Sequence, residues 1–246
     1  MTNPSTQSPE PGAADRAPQV QAMFDQIAPK YDLANRVLSL GLDQWWRRIA
    51  ISALGDTLKG DVLDLCAGTL DLTLMLVEAG AQTVTAIDFS EEMLRAGESK
   101  IPPEAQVETI AADARSLPLA DQSVDGIVCG FGLRNVPELE KALAECARVL
   151  RPGGRLVVLD FFQPEGVVSR FLHSTYNRVA VPVVGGWITG AAPAYRYLTG
   201  SIEAFVSRTE FETMLSVHGF AVEGKEMTPP VASLVVGSKS KGVGHE

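Results

Sequence analysis

Val62-Leu-Asp-Leu-Cys-Ala-Gly-Thr-Leu-Asp71 decides how this chain is read. An apolar run of strand length passes into a small-residue loop and then into a helical pattern. Asp88 closes the next apolar run, Thr83-Val-Thr-Ala-Ile-Asp88, and stands 20 residues after Gly68. That is the usual distance to a ribose-binding acid in a nucleotide-binding strand–helix–strand unit. Together the two stretches indicate a site for a nucleoside cofactor. One residue departs from the pattern: Leu70 sits where such loops carry a second glycine.

Working outward, strands and helices alternate. The first strand is read over residues 61–66, with its helix over 71–78 stopped by Gly80. The second strand covers 83–88, and Ser90 caps a helix whose first turn carries Glu91 and Glu92. Further strands fall at about 106–111 and at 123–129. A helix runs from Pro137 to about Leu150, a turn covers 151–154, and a fifth strand covers 155–161. Upstream lie helices over 19–27 and 33–40, and a third opened by Trp45-Trp46-Arg47-Arg48 that ends near Gly55. Residues 163–201 are apolar, aromatic and broken by proline and glycine, and read as helices forming a lid. A helix over 209–218 and a closing antiparallel pair, 220–227 with 231–237, finish the domain. Such alternation predicts an α/β fold, a mostly parallel sheet of seven strands with helices on both faces. Its ligands sit at the carboxyl ends of the strands, beside the topological switch point.

Composition narrows the class. The 246 residues, 46% hydrophobic, suffice for one α/β domain, taken as 19–238, between loose tails at 1–18 and 239–246. A formal net charge of −9 disfavours a nucleic-acid partner, because phosphate affinity comes from Lys and Arg. Cys66, Cys129 and Cys146 lack metal-ligand spacing, so neither a disulfide framework nor a metal site is expected. The first residues lack the basic and apolar regions of a signal peptide. No apolar run reaches the roughly 18–20 residues that span a bilayer. A cytoplasmic protein is the expectation, with contact at the inner membrane face and a homodimer both allowed.

The loops carry the chemistry. Ala67 and Gly68 let a ligand approach the backbone, and Thr69 adds a hydroxyl. Asp88 can accept from both ribose hydroxyls, or else cap a helix. Asp113 with Ala114 follows the third strand, where a carboxylate can meet an adenine amine or simply face solvent. Gly130-Phe-Gly-Leu-Arg-Asn135 places Arg134 and Asn135 above the cleft, either toward a substrate or in a rim ion pair. His173 reads better as a packing residue than as a base.

Several segments resemble the UbiE/MenG family of S-adenosylmethionine-dependent C-methyltransferases, which act on ubiquinone and menaquinone precursors. They are Tyr31-Asp-Leu-Ala-Asn35, Ser39-Leu-Gly-Leu-Asp-Gln-Trp45, Val62–Asp71, Asp88-Phe-Ser-Glu-Glu-Met-Leu94, Phe131-Gly-Leu-Arg-Asn-Val136, Arg148-Val-Leu-Arg-Pro-Gly-Gly154 and Tyr195-Arg-Tyr-Leu198. The resemblance spans roughly 20–237 and implies a Rossmann-like class I methyltransferase fold with N-terminal helices and a helical lid after strand five. It implies that Gly68, Thr69, Asp88, Asp113, Ala114 and Gly130 contact S-adenosylmethionine. Departures from the family pattern are Leu70 for glycine, Gly130 for serine, Asp43 for histidine and Asp160 for glutamate. Leu70 either crowds the methionine moiety or points into the helix–sheet core.

The reaction so implied methylates a ring carbon of a prenylated quinol, demethylmenaquinol or its ubiquinone counterpart. In-line alignment supplies much of the rate. Arg134 is expected to stabilise the developing oxyanion, while Asn135, Tyr31 and Tyr176 position the ring or a water. Tyr195 and Tyr197 would line the substrate pocket, and residues 179–192 would meet an isoprenoid tail. The alternatives are a small aromatic or polyketide acceptor, and a non-catalytic binding protein whose loop has lost the cofactor.

Overall fold

The computed structural model describes residues 41–167, 170, 200–228 and 231–241, together with Gln21, Asp25, Arg36 and Ser39. Seven strands form one sheet in the order β3-β2-β1-β4-β5-β7-β6. They are β1 (Asp61–Leu65), β2 (Thr83–Asp88), β3 (Val107–Ala111), β4 (Val124–Gly130), β5 (Leu150–Asp160), β6 (Phe220–Glu226) and β7 (Ser233–Lys239). The first five run parallel, and β7 pairs antiparallel with both β5 and β6. The strand order reverses between β1 and β4, which is the switch point where a ligand cleft opens. The expected architecture, a mostly parallel sheet of seven strands with helices on both faces, is the observed one.

Alternation along the strands sorts the core into two layers. Leu63, Leu65, Ile127, Cys129, Leu156 and Val158 pack with helix residues Leu143, Cys146, Phe211 and Leu215 on one face. Val62, Val128, Val157 and Leu159 pack with Trp46, Ala50, Leu72 and Leu76 on the other. Helices therefore cover both faces: α1 (Leu42–Ala53), α2 (Asp71–Glu78), α3 (Glu91–Glu98), α4 (Leu139–Val149) and α5 (Arg208–Val217).

Local chemistry sets the helix ends. The Ser90 hydroxyl accepts from the Met93 amide at 3.1 Å to cap α3. Ser207 and Glu210 cap α5 reciprocally, placing its start one residue before the expected position. Helix α1 begins at Leu42 rather than at the tryptophan pair, after Gly41 at φ 79°. Helix α4 begins at Leu139, two residues past Pro137, after Glu138 at φ 51°.

Two strand expectations are corrected. The Arg151–Gly154 turn is not a break before β5 but a bulge inside it. The register passes from Val124↔Leu150 to Gly126↔Arg155, so the strand begins at Leu150. A Cβ at Gly154 would come within 2.7 Å of the Asp125 carbonyl, which explains glycine there. The last strand runs Ser233–Lys239, two residues later than expected. No helix among the described residues is long and apolar enough to cross a membrane.

Candidate active site

The ends of β1, β2, β3 and β4 meet around a cleft open at its mouth. Its walls are largely apolar, from Leu65, Ile87, Phe89, Met93, Phe131, Val136 and Pro137. The polar groups facing it are few: Asp88, Asp113 and Asn135, with Gly68, Gly130 and Gly132 leaving backbone exposed. Of the six residues expected to hold the cofactor, five line this cleft: Gly68, Asp88, Asp113, Ala114 and Gly130.

Asp88 ends β2 almost buried. One carboxylate oxygen accepts from the Gly68 amide and the other from the Ser90 amide, both at 2.9 Å. Burial pushes its carboxyl above the usual range, and the backbone amides of Ser90, Gly68 and Phe89 oppose that shift. An ionised carboxylate offers about four lone-pair sites, so two remain for a pair of vicinal hydroxyls. Holding the β1 loop and accepting from a ribose are thus compatible.

Asp113 is held differently. Arg115 donates to it through Nε, Nη2 and its own amide, at 2.6–3.0 Å. Those bonds hold the Asp113 carboxyl below its usual value. Arg115 also reaches Glu138 at 2.8 Å, tying the loop after β3 to the loop after β4. This side of the cleft is therefore fixed by side chains that already have partners.

The β1–α2 loop answers the question posed by Leu70. Its backbone takes the left-handed conformation, φ 68° and ψ 15°, that a glycine would adopt freely. The side chain is 0% exposed and packs with Ala67, Ala86 and Leu94, away from the cleft. Room for it comes from Gly97 on α3, where a Cβ would lie 2.6 Å from Leu70 Cγ and 2.4 Å from the Thr69 carbonyl. Cys66 at φ 58° and Phe131 at φ 65° add two more left-handed residues at the ends of β1 and β4. Such residues cost on the order of 1–3 kcal/mol each and gather at functional sites.

A 3-10 turn, Leu133–Asn135, follows β4. Asn135 lines the cleft, and its buried Oδ1 has no hydrogen-bond partner among the described residues. Arg134 is placed otherwise than expected: its side chain is 6% exposed and it does not line the cleft. Its Nη1 donates to Asp160 at 2.7 Å and to the Phe131 carbonyl, and the guanidinium lies 5.5 Å over the Phe161 ring. The Arg134 amide also donates to Asp160 at 3.2 Å. The ion pair therefore fastens the turn that presents Asn135.

Beside the main cleft, sharing Cys66, Gly68 and Gly130 as walls, lies a recess of about 320 Å³. Thr69 lines this recess rather than the cleft. Two residues that loop reading overlooked also line it: Arg47 from α1 and Asp64 from β1. Both are buried polar side chains in rows shared with buried apolar residues, Ile51 on α1 and Val62 on β1, and that mismatch is the sequence signal for them. Tyr31, His173, Tyr176, Tyr195, Tyr197 and the 179–192 segment lie outside the described residues.

The site has acceptors that fit S-adenosylmethionine: a buried acid, Asp88, with spare lone pairs for a ribose, and a second acid, Asp113, for an adenine amine, with glycine backbone between. Comparison with known proteins agrees with that fit. The protein is 42% identical to the ubiquinone/menaquinone biosynthesis C-methyltransferase UbiE of Syntrophotalea carbinolica, over 89% of this chain and 93% of that one. It is 42% identical to the demethylmenaquinone methyltransferase of Thermus thermophilus, over 88% of this chain and all of that one. Among solved structures, a chain from the complex of the Haloferax volcanii Trm112 methyltransferase activator with a methyltransferase matches at a TM-score of 0.70. It is 17% identical and covers 92% of this chain and 100% of that one, which shows a shared fold. The ubiE/COQ5 methyltransferase family model matches residues 13–239, and the chain belongs to that family.

Proposed function

We propose that this enzyme transfers a methyl group from S-adenosylmethionine to a ring carbon of a prenylated quinol, in the biosynthesis of menaquinone or ubiquinone. The names of its 42%-identical relatives support the reaction class. The observation that carries the site assignment is the buried, unpartnered Oδ1 of Asn135 in an otherwise apolar cleft. A buried acceptor left unpaired costs about 1–3 kcal/mol, so a donor from a bound molecule is the natural match. A quinol hydroxyl is such a donor.

When bound, S-adenosylmethionine supplies an electrophilic methyl on a sulfonium. The protein's part is placement and electrostatics. Asp88 and the glycine loop fix the nucleoside. Asn135 accepts the hydroxyl hydrogen bond and sets the ring's orientation. The apolar walls exclude water from the transfer. Arg134, locked to Asp160 and Phe131, holds Asn135 in position. The roles read for Tyr31 and Tyr176 in ring placement, and for Tyr195 and Tyr197 in the pocket, remain part of the proposal and do not carry it.

Turnover on demethylated naphthoquinols and benzoquinols, with and without prenyl tails, tests the reading directly. Asn135→Ala removes the acceptor that orients the ring and should lower turnover about 10-fold, in line with one hydrogen bond worth about 1 kcal/mol. Calorimetric affinity for S-adenosylhomocysteine should change less than about threefold. Normal turnover in this variant, or no methylation of any quinol by the wild type, overturns it.

A further inference from the structure

Two residues ahead of the sheet reach the cleft wall that follows Asp88. Gln21 and Asp25 are helical, half-buried and four positions apart, so their side chains share one helix face. The Gln21 side-chain amide donates to the Phe89 carbonyl at 3.0 Å. The Ser90 hydroxyl donates to the Asp25 carboxylate. These contacts cross 68 and 65 residues of chain, so tertiary packing sets them rather than local sequence.

Phe89 lines the cleft, and Ser90 next to it is bound at three points. Its amide donates to one oxygen of Asp88 at 2.9 Å, and its hydroxyl accepts from the Met93 amide at 3.1 Å. A hydroxyl has a single proton to give, and here it goes to Asp25. Ser90 is fully buried, so losing that acceptor would leave a buried donor unpaired. The carboxylates of Asp25 and Asp88 thus flank one residue. Burial raises the Asp88 carboxyl, and the like charge of Asp25 adds to the rise. Among the described residues, Asp64 on β1 and Cys66 at its end also face Asp88. Asp113 beyond β3 is paired with Arg115, and Glu91 and Glu92 in the first turn of α3 are paired with Arg95.

We propose that Asp25 is a positioning residue for cofactor binding: through Ser90 it holds the Asp88 carboxylate for the ribose, and its charge limits how far into acid the site keeps its ligand. The inference rests on the S-adenosylmethionine reading and adds to it a part of the chain that precedes the first strand. Gln21 acts beside Asp25, tying the backbone of Phe89 to the same helix face. A ribose hydroxyl bonds an ionised carboxylate more strongly than a protonated one. Binding therefore weakens as Asp88 takes up its proton, and the charge at Asp25 brings that weakening to a higher pH.

Calorimetric titration with S-adenosylhomocysteine between pH 5 and 8 reads the charge. Asp25→Asn keeps an acceptor for the Ser90 hydroxyl and removes the charge. At pH 8 its affinity should stay within about threefold of the wild type's. Its loss of affinity in acid should begin roughly half a pH unit lower, the scale of one neighbouring like charge. Asp25→Ala removes the acceptor as well, and at pH 8 should weaken methylthioadenosine about three- to tenfold, in line with one hydrogen bond. The deoxyribose form of methylthioadenosine offers Asp88 one hydroxyl fewer and should lose less than about twofold. Should the alanine variant fail to fold, the acid limb of the asparagine variant still decides. Coincident acid limbs for the wild type and Asp25→Asn overturn the assignment, as does an equal loss, or none, for both nucleosides in Asp25→Ala. Failure of the wild type to bind any of the three ligands would instead overturn the cofactor reading.

Discussion

The cleft and the recess beside it are built on opposite principles. In the cleft the acids arrive with partners: Asp88 holds the Gly68 and Ser90 amides, and Asp113 is gripped by Arg115. In the recess, Arg47 Nε and Asp64 Oδ1 are buried with no hydrogen-bond partner among the described residues. The cleft is preorganised, so a ligand adds bonds to a geometry that already exists. The recess keeps buried polarity unsatisfied, at a cost in stability.

The sharpest way to break this contrast is Asp88→Ala. It removes both ribose acceptors and frees the Gly68 and Ser90 amides together. Affinity for S-adenosylhomocysteine should fall by a factor of about 100 or more, at 1.5–3 kcal/mol for each hydrogen bond to a charged group. Methylthioadenosine should lose as much, because its ribose is the same. Calorimetry that found methylthioadenosine unaffected would mean that Asp88 does not hold the ribose.

Leu70 tests whether the loop between cleft and recess is held by packing or by the ligand. Leu70→Ala should cost about 2–4 kcal/mol of unfolding free energy, as for other buried leucines, with little change in cofactor affinity. Leu70→Gly deletes the same side chain but relaxes the left-handed backbone. It should therefore be more stable than the alanine variant by roughly 1 kcal/mol. Urea denaturation measures both. An alanine variant of normal stability with weakened cofactor binding would place the leucine side chain toward the ligand after all.

What the sequence made visible follows the same division. The cleft was legible because its residues stand at strand ends, and strand ends are marked by the alternation of apolar runs with turn residues. The strands, the Ser90 cap and the positions of Asp88, Asp113 and Asn135 after strand ends all came from that local pattern. Arg47 and Asp64 were overlooked because each belongs to a regular element, and only packing brings α1 over the face of β1 that carries Asp64. A cue was present: Asp43, Arg47 and Ile51 share a buried helical row, an unusual place for a charge. The direction of Leu70 was not legible at all, since it depends on Gly97, a contact set by how α3 lies against the loop. Arg134 looked exposed for the same kind of reason. Its partner Asp160 ends β5, on the far side of a helix in sequence but adjacent in the sheet.

A pH titration probes the cost of the unpaired acid directly. Burial pushes the Asp64 carboxyl up to about 7, opposed by the Thr73 hydroxyl on α2 and the Arg47 cation on α1, while the Asp88 charge on β2 adds to the rise. A raised carboxyl binds its proton more tightly in the folded state than in the unfolded chain, where the value is near 3.8. The ligand-free protein should therefore lose stability as pH rises from about 4 to 7 and level off above that. The slope from this one group is at most about 1.4 kcal/mol per pH unit. Asp64→Asn keeps an acceptor for Thr73 but has no proton to lose, so the slope due to this site should vanish. Unfolding free energies of the two proteins measured between pH 5 and 8 should thus converge toward low pH, with the asparagine variant the more stable at pH 8. Parallel curves would mean that Asp64 is ionised throughout, and that its charge already has a partner in the folded protein.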